Sequence, residues 1–176
     1  SEIIIHGNQI FDLKTNLIID KNPIAIDFLD YEKSPNLISN LDLDMSHTLN
    51  GKTVIKSFLY NENNNKIEIN NLILNKNFKI KSFKNIILKY FDKDLRENNI
   101  KVLIDKNNSY KISGSKFNAN GLIENLTSND TNGFEIFDQK LNFNINIDQV
   151  YLDKEHVIKE FKGMLNLEKN EISNAK

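Results

Sequence analysis

Histidine is the side chain best suited to proton transfer near neutral pH and to zinc ligation, and the chain has three: His6, His47 and His156. They fall on separate elements, with no partner histidine at helical spacing and no HExxH pattern, so exposed or capping roles are expected for them. Asp42 and Asp44 form a carboxylate pair on one side of an alternating strand. Paired carboxylates hydrolyse glycosides only when they flank a sugar across a cleft, and this pair is expected on a solvated face. The tract Asn129-Asp130-Thr131-Asn132-Gly133 offers oxygens to calcium, but position 12 counted from Asn129, where an EF-hand loop places glutamate, is Lys140. Gly114 and Gly121 belong to no GxGxxG or GKS/T phosphate cradle, and no GxSxG nucleophile elbow occurs. Cysteine is absent, which removes disulfides, thiolate nucleophiles and thiolate metal sites together. A non-catalytic protein without metal or cofactor is therefore expected.

The charge balance points the same way. Lys+Arg 23 against Asp+Glu 24 leaves a net charge of -1, giving no overall attraction to phosphate polymers, and Arg96 is the sole arginine able to fork onto a phosphate. No nucleic-acid partner is expected; the aromatic and lysine residues between Phe78 and Phe91 fit ordinary sheet packing better than base stacking. With 39% hydrophobic and 27% charged residues the chain should fold, its Asn61 to Asn65 run serving as a turn. No apolar run approaches the roughly 18 residues of a spanning helix. The start at Ser1-Glu2 reads as a processed boundary, so any export signal or membrane anchor is expected outside this sequence.

The elements that carry these side chains repeat with period two, the signature of a strand with one buried face. Leu41, Leu43 and Met45 alternate with Asp42, Asp44 and Ser46; Ile67 and Ile69 alternate with Lys66, Glu68 and Asn70; Phe78 and Ile80 alternate with Lys79 and Lys81. The clearest stripe is Leu141, Phe143, Ile145 and Ile147, separated by Asn142, Asn144 and Asn146. Further strand-like runs are Ile3 to Ile5, Asn16 to Ile19, Ile24 to Leu29, Thr53 to Tyr60, Asn85 to Tyr90, Ile100 to Ile104, Tyr110 to Phe117 and Val157 to Leu167. Turn signals separate them closely, Asn50-Gly51 being the clearest hairpin, so most neighbours should be antiparallel.

One helix is expected, over Asn118 to Leu126, where Ala119, Leu122, Ile123 and Leu126 have helical spacing and Asn118 or Asn120 can cap. The apolar-free tract Thr127 to Gly133 reads as a solvated loop and the best internal boundary. The chain then divides into unplaced N-terminal strands (1–35), antiparallel strands ending in the helix (36–126), the polar loop (127–133) and antiparallel strands continuing the sheet (134–176). The expected fold is mainly β, a curved antiparallel sheet or half-barrel with one short α-helix.

From about Leu37 onward the residue classes resemble the AsmA-like proteins, particularly their YhdP-type branch. The resemblance lies in the strand Tyr110-Lys111-Ile112-Ser113-Gly114-Ser115-Lys116-Phe117 entering the helix, in the alternating run Leu141 to Leu152, and in the return Ile158 to Leu167 through Gly163-Met164-Leu165. It implies a segment of a long, inner-membrane-anchored periplasmic protein, in which stacked strands form an apolar β-groove for phospholipid transport to, or maintenance of, the outer membrane. Phospholipid acyl chains and other segments of the same long protein are the partners it implies. The alternative is a structural or adaptor β-module that binds other protein segments at its sheet edges. Ile67, Ile69, Phe78, Ile80, Leu141, Phe143, Ile145 and Ile147 are expected to line either an apolar groove or a closed core.

Overall fold

The computed structural model describes residues 1–6, 10–106, 109–127, 139–168 and 171–175. In chain order the elements are β1 (Glu2–His6), β2 (Ile10–Ile19), β3 (Ile24–Ile26), a single 3-10 turn (Asp27–Leu29), β4 (Tyr31–Lys33), β5 (Ser39–Thr48), β6 (Thr53–Glu62), β7 (Asn65–Leu74), β8 (Ile80–Ser82), β9 (Asn85–Phe91), β10 (Glu97–Ile104), β11 (Ser109–Asn118), α1 (Asn120–Thr127), β12 (Leu141–Tyr151), β13 (Val157–Glu168) and β14 (Glu171–Ala175). All strands but β3 and β4 join one open, curved sheet of 12 strands, in the order β1-β2-β5-β6-β7-β9-β10-β11-β12-β13-β14 with β8 on the end of β7. The mainly-β expectation and the short helix both hold. The loop expected over Thr127 to Gly133 lies outside the described residues beyond Thr127.

Local chemistry explains the hairpins. Asn50 takes a φ of 55° and Gly51 donates its amide to the Thr48 carbonyl at 2.8 Å, closing the β5–β6 turn at the Asn-Gly pair. Asn75 and Asp92 build matching loops: each accepts two amides through its side-chain oxygen, and each forces an apolar residue, Phe78 or Leu95, to a φ of 60°. Phe78 is thus a turn residue and not a strand partner of Ile80. The alternation seen in the sequence fails there because the Asn75 side chain captures the Asn77 and Lys79 amides, at 2.8 and 3.1 Å, and tightens the loop.

Antiparallel pairing was expected throughout residues 134–176, but β12 lies parallel to β11, with Ser109 opposite Asn142 and Asn118 opposite Tyr151. A parallel neighbour requires the chain to return the whole length of the strand, and residues 119–140, which include α1, are long enough to do so.

One face of the sheet is apolar from strand to strand. A row of facing residues runs Leu17, Leu41, Tyr60, Ile67, Leu88, Ile100, Gly114, Ile147, Phe161 across β2 to β13. The row beside it runs Leu43, Phe58, Ile69, Ile86, Val102, Ile112, Ile145. Strict alternation could not keep every strand in these rows, because apolar residues also recur at a spacing of three: Ile55 and Phe58, Ile69 and Leu72, Ile147 and Val150, Ile158 and Phe161. At each such step the ladder skips a residue: Lys56 and Asn71 in β6 and β7, then Ser115, Asp148 and Glu160 in β11, β12 and β13. The register shifts at Asp44/Met45 and Asn99/Ile100 absorb these extra residues. Asn71 (φ 51°) and Glu160 (φ 53°) carry the left-handed backbone that such bulges use. The bulges return Leu72, Phe117 and Val150 to the apolar face, where they join the buried clusters.

Gly114 sits in the first row beside the extra residue Ser115 of β11, and a Cβ there would lie 2.2 Å from the Asn99 carbonyl oxygen and 2.8 Å from the Ile100 side chain. The missing side chain is what lets β10 approach β11. Gly114→Ala should therefore destabilise the protein by about 1–3 kcal/mol or more, as overpacking does, read as a lower urea midpoint.

Candidate functional site

An apolar face on a single sheet must be covered by something other than water. Over its centre the cover is the protein itself. The segment between β2 and β5 folds back as a flap, β3 and β4 pairing through Ile24/Lys33 and Ile26/Tyr31, and places Leu29 and Tyr31 in a cluster with Tyr60, Ile67, Leu88, Tyr90, Ile100, Phe117, Ile147 and Val150. Ala119 and Leu122, just before and within α1, close its flank. A Cβ on Gly121 would stand 2.8 Å from the Asp27 carbonyl oxygen, so this helix rides directly on the 3-10 turn.

Polar groups fix the flap in place. The Tyr31 hydroxyl donates to the buried Glu62 carboxylate and lies 2.8 Å from the Tyr60 hydroxyl, while Tyr90 donates to the Leu29 carbonyl at 2.9 Å. The fully buried Lys33 gives its ammonium to the carbonyls of Asp20, Asn22 and Ser34 at 2.8, 3.1 and 3.2 Å, tying both ends of the flap together. Below the flap, buried Asn118 bridges Asp92 at 2.8 Å and Asp30 at 3.4 Å, and its amide donates to Asn98 at 2.6 Å. These polar groups dock the flap onto β6 through Tyr31 and onto the β9–β10 hairpin through Tyr90, Asp92 and Asn98, while Lys33 closes the flap on itself.

A second cluster closes the opposite end of the same face: Leu72, Phe83, Val102, Tyr110, Leu141, Phe143 and Leu167. Phe83 stacks on Tyr110 at 4.3 Å between ring centres, and Tyr110 on Phe143 at 5.6 Å.

The residues expected to line a groove or core are thereby placed. Ile67, Leu141, Phe143 and Ile147 are buried, and Ile69, Ile80 and Ile145 are half-buried against them, all on one face and all under cover. Phe78 stands apart, exposed, its ring parallel to that of His47 at 6.1 Å. Elsewhere, Ile158 of β13 is exposed at one border of the apolar face, and the face lies open at the opposite one, on β1, β2 and β5. There Ile3 is 66% exposed, Ile5 72% and Leu17 44%, beside exposed Phe11 and half-buried Leu13, Leu41, Leu43 and Met45. These residues continue the covered rows: Leu17 pairs Leu41, Ile3 pairs Leu13 and then Met45, and Ile5 pairs Phe11 and then His47. Residues 1–35 read as strands without a place in the sheet, because β1 is apolar at three successive positions and β2 alternates only in part. The visible signal was the Leu41, Leu43, Met45 stripe that β2 must pair.

The reverse of this strip carries charged groups among the exposed Ile4, Ile10 and Ile18. Asn16 donates to Asp42 at 2.5 Å, Lys56 pairs with Asp44 at 3.4 Å, and hydrogen bonding, first from the Ser46 hydroxyl and then from His6, holds the Asp12 carboxyl below its usual range. Asp42 and Asp44 thus occupy a solvated polar face. His6 lies 3.1 Å from Asp12, His47 bonds Thr53 at 2.8 Å, and His156 and Asp153 close a turn at 2.7 Å, so the three histidines remain far apart in role. Among the described residues no three His, Cys, Asp or Glu side chains converge as a metal site, and no helix is long and apolar enough to cross a membrane. Comparison with protein-family models, with curated proteins and with solved structures finds no match to this chain.

Two expectations follow from this packing. Phe143→Asp would put an unpaired charge inside a closed cluster and should cost about 3 kcal/mol or more, read by urea unfolding. Burial raises the hydroxyls of Tyr31 and Tyr90 well above the ordinary tyrosine range, with Glu62 adding to the first and Asp92 to the second. Stability is then complete below about pH 10, the unfolded tyrosine value, and falls as pH rises past it, since only the unfolded chain can release those protons. Tyr31→Phe should flatten this alkaline fall while costing about 1–3 kcal/mol at neutral pH, because Glu62 loses its hydroxyl donor.

Proposed function

We propose that this chain is a non-catalytic segment of an AsmA-like, YhdP-type protein, anchored in the inner membrane and exposed to the periplasm. In this reading its apolar sheet face holds phospholipid acyl chains on their way to the outer membrane or in its maintenance. The observation that carries the reading is the strip on β1, β2 and β5, where apolar rows run out from beneath the flap with no protein over them among the described residues. The residue-class resemblance over the strands and helix after Leu37 supports the same assignment. An acyl chain suits such a strip: it needs a continuous apolar floor and makes no directional demand.

The test is photo-crosslinking to phosphatidylethanolamine vesicles carrying a diazirine in the acyl chain, with mass spectrometry of lipid that copurifies. Labelled peptides should map to β1, β2 and β5. Leu17→Glu and Ile5→Glu alter exposed positions and should leave the fold intact while lowering labelling on the order of ten-fold, the effect of one lost apolar contact. Absence of labelling, or labelling that these variants leave unchanged, would refute the lipid reading.

A further inference from the structure

We propose that β1 is a self-complementary edge through which a second copy of this chain continues the sheet, giving a two-fold symmetric dimer. The proposal is independent of the lipid reading. Strand β1 has a neighbour on one side only; its other edge offers unpaired backbone groups among the described residues. Edges left to water are usually blunted with lysine, proline or a bulge. Here the strand is Glu2-Ile3-Ile4-Ile5-His6, in unbroken register with β2, and Ile3, Ile4 and Ile5 are all exposed.

The sequence of this edge selects its occupant. When two copies of β1 run antiparallel about an axis through Ile4, Ile4 faces Ile4 of the other copy, Ile3 faces Ile5, and Glu2 faces His6 at both ends. Glu2, Ile4 and His6 lie on the charged face and Ile3 and Ile5 on the apolar face, so every pair matches in kind. An axis normal to the sheet keeps the two apolar faces on the same side and joins their rows. The Asp12 carboxylate, 3.1 Å from the His6 Nε2, and Lys14, opposite Glu2, are the charged neighbours on β2, and they flank the two polar ends. Pairing β1 with β14 of another copy instead would set isoleucines mostly against Ser173, Asn174 and Ala175, and as a head-to-tail contact it would give a ring or an open chain of copies, not a two-fold dimer.

Sedimentation velocity of the 176-residue chain tests this. A single edge contact is small, so a closed dimer should appear with a dissociation constant on the order of 10 µM. Ile4→Lys should abolish it by placing two ammonium groups face to face. Glu2→Gln should weaken it on the order of ten-fold, and so should Ile3→Asn, which sets an amide against Ile5 of the other copy. Far-ultraviolet circular dichroism and the melting temperature, unchanged in each variant, show that folding is not at issue. A monomer at all concentrations, an open-ended ladder of species, a dimer that survives Ile4→Lys, or one whose affinity neither Glu2→Gln nor Ile3→Asn lowers would each overturn the proposal.

Discussion

Everything in this molecule depends on covering the apolar side of one open sheet. Most sheets of this size pack against a second layer or close into a barrel. Here the strands run from β1 to β14 without closing, and the cover is assembled from short pieces: the β3–β4 flap, the start of α1, and Phe83 at the far end. Such pieces bury little area each, which is why they are also tied down by hydrogen bonds. Tyr31, Tyr90 and Lys33 anchor the flap through groups that would be costly to leave unpaired in a buried setting.

The apolar face survives the curvature of the sheet because the bulges are placed in lines. An extra residue in one strand would turn the following side chains to the wrong side, yet Lys56 and Asn71 stand together, as do Ser115, Asp148 and Glu160. Each line bends several strands at once and restores the inward direction beyond the bend. Gly114 belongs to this device, since only a residue without a side chain lets β10 change register so close to β11.

Cover that comes in pieces leaves a remainder, and the remainder is where a partner can act. The strip on β1, β2 and β5 is chemically the same surface as the core beside it, divided from it only by the reach of the flap. An apolar floor of this kind suits acyl chains, and the adjoining edge of β1 suits another strand. The two uses draw on different groups, side chains in one case and main-chain amides and carbonyls in the other, and are compatible on one molecule.

Most strand positions, the Asn50-Gly51 hairpin, the helix near Asn120 and the stripe from Leu141 to Ile147 were legible in the sequence, because period and turn chemistry are properties of neighbouring residues; Asp27–Leu29, expected as strand, is a 3-10 turn closed by the Asp30 amide on the Asp27 carbonyl. The spacing of three between Ile147 and Val150, or Ile69 and Leu72, was present as well, but its meaning as a bulge depends on the strand alongside. Which apolar residues are covered was decided only in three dimensions. Ile67 and Leu17 share a row across the sheet, and one is buried while the other is open, because the flap that reaches Ile67 stops short of Leu17. Local pattern makes a face apolar; contacts between residues far apart in the chain determine what lies on it.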